Sequence, residues 1–408
     1  MDFKDTPEEL AFRVEVRAFL DANASLQADD VPVADLRAVT DEDVMQAKAW
    51  QAKKADAGFA AISLPQPYGG RGASPMMQAI FNQEEAKYAT APNVFRIGLG
   101  MCIPTLIAYA APEHVSRFVT PALRGAEIWC QLFSEPGAGS DLAAVRTRAV
   151  RSGDEWVVNG QKIWTSGAHF SDWGLVMCRT NPDAPKHAGL TVFFINMKSP
   201  GIEVRRIHQM SGASHFNEVF FTDVRVSDAQ RLGAVDAGWR VSLTTLMNER
   251  LTLASRGSRP HSLDLMNLAK GLRLNGSPAI EDTGLRAKVA EWWVREQGLL
   301  LTHYRNLTAL SRGRAPGPES SIGKMISASM SQEIASYGLD LVGAAGAVTN
   351  AGLPFHTNVF QDAYLASPGM RIGGGSDEIL RNVIAERVLE MPADVRADKV
   401  TPFNQIKA

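Results

Sequence analysis

Apolar residues at Phe12, Val16, Phe19 and Leu20 recur at the three- and four-residue spacing of one helix face. The run opens on Thr6-Pro7-Glu8-Glu9, an N-cap followed by proline at the first helical position and an acid three residues after the cap. The same reading predicts helices over 41–57, 75–88 and 104–110. Between the first two of these lies Leu64-Pro65-Gln66-Pro67-Tyr68-Gly69-Gly70, a stretch dense in turn formers. The first block therefore reads as all-helical.

Near Glu127 the period changes from helical to two. Val145, Thr147 and Ala149 alternate with Arg146, Arg148 and Arg151, and Ser152-Gly153-Asp154 forms a turn. A strand is predicted over 155–158, with Asn159-Gly160 as a hairpin signal after it. Further strands follow at 173–179, 190–197, 202–207 and 219–226. From Gly238 the helical pattern returns: Leu285, Val289, Trp292, Leu299 and His303 share one face. Helices are also predicted over 320–341 and 377–389, the latter capped by Ser376. The chain thus divides into an N-terminal helical domain (1–126), a middle antiparallel β-domain (127–234, barrel or sandwich) and a C-terminal helical domain (235–408). The fold class is α+β, with no internal repeat.

Composition narrows this only modestly. A chain of 408 residues is long enough for two or three cores. Its formal charge of −2 gives no electrostatic reason to expect nucleic acid or an anionic membrane as a partner. Cys102, Cys130 and Cys178 are scattered, and the eight histidines include no HxxxH pair, so neither a disulfide framework nor a metal site is expected. The start Met1-Asp2-Phe3-Lys4-Asp5 lacks the basic and apolar regions of a signal peptide. The apolar window 97–112 is interrupted by Pro104 and too short for a bilayer span. A soluble protein of the reducing cytoplasm is the expectation.

Three segments carry candidate chemistry. Gly137-Ala138-Gly139 is not a dinucleotide fingerprint, because position 142 is leucine and no helix follows, so by itself it reads as a plain turn. The whole string Ser134-Glu135-Pro136-Gly137-Ala138-Gly139-Ser140-Asp141 is far more specific. Trp164-Thr165-Ser166 is the second segment; a tryptophan in a strand is ordinarily core. The third pairs Met247-Asn248-Glu249-Arg250 with Arg371-Ile372-Gly373-Gly374-Gly375-Ser376-Asp377-Glu378.

Together these segments resemble the acyl-CoA dehydrogenase flavoprotein family, over nearly the whole chain from Phe3 to about Pro392. The extension Gly167-Ala168-His169 is similar to a bacterial subgroup, with His169 either an ordinary satisfied histidine or a proton carrier. The resemblance implies FAD as cofactor and α,β-dehydrogenation of an acyl-CoA thioester, with an electron-transfer flavoprotein as acceptor. It implies that Gln131, Phe133, Ser134, Gly139 and Ser140 line FAD, with Ser140 also near the CoA arm. Trp164 becomes an aromatic wall beside the isoalloxazine, with Thr165 and Ser166 as neighbouring cofactor contacts. Ser376 and Glu378 fall at cofactor-contact positions as well; the alternative is a glycine loop capped by Ser376.

Removing a proton α to a thioester requires a carboxylate whose pKa burial can raise. Much of the family carries that glutamate in the C-terminal loop, where this chain has Gly374. A minority, including isovaleryl-type and long-chain-type enzymes, carries it on an earlier helix just before an arginine. Glu249-Arg250 matches that pattern, making Glu249 the implied base and placing Arg250 at the substrate; a solvated ion pair is the plain alternative. Gly374 then keeps a backbone N–H for the thioester oxygen.

Two departures stand out. Leu272-Arg273-Leu274-Asn275-Gly276 retains the glycine of the family's cross-subunit FAD segment but not its phenylalanine or placed arginine, leaving Arg273 as a substitute or a surface residue. Asp340-Leu341-Val342-Gly343-Ala344-Ala345-Gly346 alters a second such segment. A homodimer or homotetramer with divergent contacts, or a heteromer, would accommodate both. An acyl-CoA oxidase, a non-catalytic subunit and, remotely, a DNA-associated member remain rival readings.

Overall fold

The computed structural model describes residues 5–27, 39–254, 260–312, 317–348, 357–393, 395, 398 and 400–406. These residues form two compact units. One takes in residues up to 27, 39–252 and the stretch from 395; the other lies within 260–393.

The first unit begins with α1 (Pro7–Asn23), where the Thr6 hydroxyl accepts from Glu9 N (3.2 Å) and the Glu9 carboxylate accepts from Thr6 N (2.8 Å). This is the capping box read from the sequence. Phe12, Val16 and Leu20 are buried, as the spacing required. Then come the two-residue strand β1 (Ser25–Leu26), α2 (Asp41–Asp56), α3 (Pro75–Glu85) and β2 (Tyr88–Ala89). A π-turn over Gly98–Cys102 leads into α4 (Ile103–Tyr109), which is followed by α5 (Pro112–Leu123). α5 lies outside the helices predicted from the sequence, although Val115, Phe118, Val119, Ala122 and Leu123 bury one face of it.

The β-domain holds β3 (Trp129–Leu132), β4 (Arg148–Ser152), β5 (Glu155–Ser166), β6 (Trp173–Arg179), β7 (Leu190–Asn196), β8 (Ile202–Arg206), β9 (Phe216–Ser227) and β10 (Arg231–Leu232). They form one eight-stranded sheet in the order β10-β7-β6-β4-β5-β9-β8, with β3 paired to β6. Pairing is antiparallel except where β3 and the first residue of β4 run parallel to β6. Two apolar clusters flank the sheet, one centred on Leu175, Val192 and Phe194, the other on Val158, Val176 and Phe193.

One prediction fails here. Asn159-Gly160 does not end a strand: β5 runs through it, with a register shift between Val158 and Gly160. The real hairpin is Ser152-Gly153-Asp154, where Gly153 has φ +65°. Gly160 is a glycine because a Cβ there would lie 2.5 Å from Thr147 Oγ1, and Asn159 bonds to Asp223 across β9 instead of making a turn.

α6 (Gly238–Ala254) starts where the helical pattern returned. The second unit comprises α7 (Ser262–Gly271), the hairpin of β11 (Arg273–Leu274) and β12 (Ser277–Pro278), α8 (Thr283–Ser311), α9 (Ser320–Val342), α10 (Thr357–Ile372) and α11 (Asp377–Arg387). Its core gathers Leu265, Leu268, Trp292, Met330, Ile334 and Phe360. The α8 face read from the sequence is present, with Leu285 and Trp292 buried while Trp293 and Val294 are exposed. No described helix is long and apolar enough to cross a membrane.

Candidate active site

The loop Ser134–Asp141 leaves β3 and closes on itself, with Glu135 N donating to Ala138 O (3.0 Å) and Ala138 N to Glu135 O (2.9 Å). The glycine turn is therefore real. Neither Gly137 nor Gly139 has a left-handed φ, and a Cβ added at either would meet no atom within 4 Å. The chain itself does not demand glycine at position 139. Gly139 and Ser140 are exposed, Gln131 and Ser134 half-buried, and Phe133 is 3% exposed in the core.

This loop is stitched to the Trp164 strand. Ser134 O accepts from Ile163 N (2.9 Å), and Phe133 O accepts from Lys162 Nζ (2.9 Å). Lys162 is fully buried and also donates to Glu135 Oε1 (2.8 Å). The Glu135 carboxylate additionally accepts from Arg146 N (2.6 Å) and Thr147 N (2.9 Å). Burial opposes its ionisation, but the Lys162 ammonium and these donors outweigh burial and hold the carboxyl below its usual range. Burial in turn draws the Lys162 ammonium below its usual range, with Glu135 opposing. The sequence reading assigned no role to this pair. Its signal was a lysine two residues before Trp164, on the inward side of a strand where Val158 is core.

Trp164 is not core. A second register shift in β5, between Lys162 and Thr165, accompanies φ +58° at Trp164, and the residue is 54% exposed. Its ring is supported edge-on by Phe216 at 5.9 Å. Left-handed φ at a bulky residue is costly and marks a segment held by its surroundings. Thr165 points the other way: it is 1% exposed and its Oγ1 has no hydrogen-bond partner. Ser166 is half-buried. His169 bonds through Nδ1 to Asn217 Oδ1 (3.1 Å), whose amide donates to Thr165 O (2.8 Å). Burial lowers its pKa, and it serves as a prop for the strand. An exposed indole next to the half-buried Ser166, on a strand hydrogen-bonded to the glycine loop at Ser134, fits a flat apolar group with a polar rim, which is the chemistry of a flavin.

The remaining candidates lie elsewhere. Glu249 and Arg250 are in α6 by backbone, but their side chains lie outside the described residues. Gly374 and Gly375, at φ +72° and +99°, form the turn between α10 and α11. Lys324 Nζ donates to Gly375 O (2.5 Å), and the Ser376 hydroxyl caps α11 by accepting from Ile379 N (3.4 Å). Asp377 is buried against Arg371, with Oδ1 unpaired, while Glu378 is exposed. Arg273 is exposed and donates to Gly276 O within its own hairpin, where Asn275 and Gly276 both have left-handed φ. No cluster of potential metal ligands occurs among the described residues.

Comparison with known proteins agrees with this geometry. The N-terminal, middle and C-terminal domains of acyl-CoA dehydrogenases match residues 6–126, 130–224 and 236–389. The chain is 34% identical to the acyl-CoA dehydrogenase IpdE1 of Mycobacterium tuberculosis over 94% of its own length and 98% of that protein's. It is 38% identical to the acyl-CoA dehydrogenase FadE34 of the same organism over 90% of this chain, which spans only half of that relative. A solved structure, the Tcur3481-Tcur3483 steroid ACAD, superposes with a TM-score of 0.80 at 26% identity, covering 97% of this chain and all of the other. This chain belongs to the acyl-CoA dehydrogenase family, whose members are FAD-dependent oxidoreductases.

Proposed function

We propose that the protein converts an acyl-CoA thioester to its trans-2-enoyl-CoA and passes the electrons to an electron-transfer flavoprotein. The observation that supports this best is the stitching of the Ser134–Asp141 loop to the strand of the exposed Trp164, through Ile163 N on Ser134 O and Lys162 Nζ on Phe133 O. Gln131, Ser134, Gly139, Ser140, Trp164 and Ser166 are assigned to the flavin side, with the buried Phe133 and Thr165 behind them and Ser140 and Arg250 assigned to the substrate. Ser376, Glu378 and Arg273 are assigned to the remainder of the cofactor. FAD, when bound, supplies the hydride acceptor. Glu249 takes the α-proton, because position 374 offers no carboxylate, and the Gly374 N–H donates to the thioester oxygen. A left-handed glycine leaves that backbone donor unobstructed by a side chain.

The division at 126/127 and 234/235 is kept as a functional one, although the first two segments share a compact unit. Assembly as a homodimer or homotetramer, or as a heteromer supplying the altered cross-subunit contacts, follows from Arg273 and the 340–346 segment. Because one solved relative is named a steroid ACAD, steroid-derived acyl-CoA thioesters are the first class to test. Glu249→Gln should bind FAD normally while substrate bleaching of the flavin falls by ~10²–10⁴-fold. A loss of only about tenfold, roughly 1.4 kcal/mol of barrier, would move the base to another residue.

A further inference from the structure

The far end of the cofactor loop is held by a segment from the other end of the sequence. Residues 400–406 lie along the connection between β6 and β7. Phe403 N donates to Ala184 O (2.9 Å), Asn404 N to Pro182 O (3.0 Å), and the Asn404 amide to Asp183 Oδ1 (2.6 Å). These contacts seat Phe403, only 9% exposed, beneath the guanidinium of Arg179, whose central carbon lies 3.9 Å from the ring centroid. Arg146 approaches the same ring at 5.4 Å.

Arg179 is the link to the loop. It is 4% exposed and donates to Ala143 O (2.5 Å), Val145 O (3.4 Å) and Lys186 O (2.7 Å). Ala143 and Val145 lie in the turn directly after Asp141. Its hydrogen bonds go to three carbonyls and its guanidinium lies on the Phe403 face, while the nearby Glu135, Asp236 and Asp141 carboxylates favour its charge against burial. A second link runs beside it: the Lys186 ammonium bridges Asp141 (3.0 and 2.8 Å to the two oxygens) and Asp398. Asp141 is the last residue of the glycine loop. Lys162 and Glu135 thus fix the loop's entry, while Arg179, completed by Phe403, and Lys186, completed by Asp398, fix its exit.

We propose that Asp398 and residues 400–406 act in cis as a strap that sets the Ser134–Asp141 loop for the flavin, with Phe403 and Asp398 as positioning residues acting through Arg179 and Lys186. This rests on the assignment of that loop to FAD. A preformed loop binds tightly because little ordering remains to be done on association. Loosening its exit should therefore weaken cofactor affinity even where the β-domain stays folded.

The test is FAD titration of the full-length apoprotein by fluorescence quenching, well below its unfolding temperature. Phe403→Ala should raise the dissociation constant about tenfold, equivalent to ~1.4 kcal/mol. Phe403→Tyr should restore it, since the ring is kept; Asp398→Asn should show a smaller rise. If Phe403→Ala does not fold, Asp398→Asn and Phe403→Leu carry the same measurement. A lowered melting temperature with FAD affinity within twofold of wild type makes the segment merely structural and overturns the strap. Gly139→Val separates the two ideas. If it loses FAD while the strap variants keep it, only the strap fails; if none of them moves FAD affinity, the loop assignment fails first and the strap with it.

Discussion

Two glycine loops, one in each compact unit, carry glycines that exist for different reasons. In the β-domain loop, Gly137 and Gly139 have ordinary backbone angles and open space where a side chain would be. In the turn between α10 and α11, Gly374 and Gly375 adopt left-handed φ that a residue with a Cβ disfavours. The first loop is held by side chains, a buried lysine and carboxylate at one end and a buried arginine at the other. The second is held by backbone geometry, a lysine on Gly375 O and a helix cap. A glycine that the fold does not need points outward, to something the loop must admit. A glycine that the fold does need says little about ligands.

The largest effect should come from the ion pair. Lys162→Met leaves Glu135 buried without its cation and should cost about 3–5 kcal/mol, read as a fall in the chemical denaturation midpoint. Adding Glu135→Gln, which removes the buried charge but keeps an acceptor for only one of Arg146 N and Thr147 N, should recover part of that loss; no recovery would mean the two groups act separately. The pH dependence has a definite sign. Because the folded pKa of Glu135 is depressed, its contribution is full above the unfolded carboxylate value and is lost as pH falls through the lower folded value. Glu135→Gln should flatten the acid limb of the stability curve, and an unchanged limb would assign that limb to other carboxylates.

Next in size is Gly374→Ala, expected to cost about 1–2 kcal/mol in the apoprotein from the forced left-handed φ. Equal stability to wild type would show that the turn relaxes and would blur the contrast between the loops. The smallest effect on stability belongs to Gly139→Val, which should leave the apoprotein's melting temperature within about 1 °C, since ΔΔG near zero shifts Tm little. Its purified form should nevertheless lack the yellow of bound flavin. A large drop in apoprotein melting temperature, or full flavin occupancy, would each break the comparison from opposite sides.

Much was legible before the structure because it depends on local spacing. The capping box at Thr6, the buried face of α1, the Gly153 hairpin and the Ser376 cap follow from residues within a few positions of one another. The misreadings arose where a distant partner decided. Asn159-Gly160 looks like a hairpin by composition, but the closeness of Thr147 and the bond from Asn159 to Asp223 make it an irregularity within a long strand. Trp164, core by residue type alone but an aromatic wall by the resemblance, is turned outward by the shifted register, which sends Thr165 inward, away from the cofactor role also implied for it. The helices α5, α7 and α10 lie outside the predicted elements; α5 and α10 each carry an internal proline, Pro121 and Pro368, that obscures the period.

The sequence by itself determined the helical–β–helical order, the family motifs and the absence of a carboxylate at position 374, since these reside in residue identity and short-range pattern. Only the tertiary structure decided that Lys162 rather than a surface group holds the loop, that Gly139 is free of its own chain, and that Phe403 lies under Arg179, 224 residues away in sequence (403 − 179). The reason is that a buried charge is tolerable only when its partners converge on it. Which residues converge is set by how the sheet pairs and where the chain returns to it, and no local pattern records either.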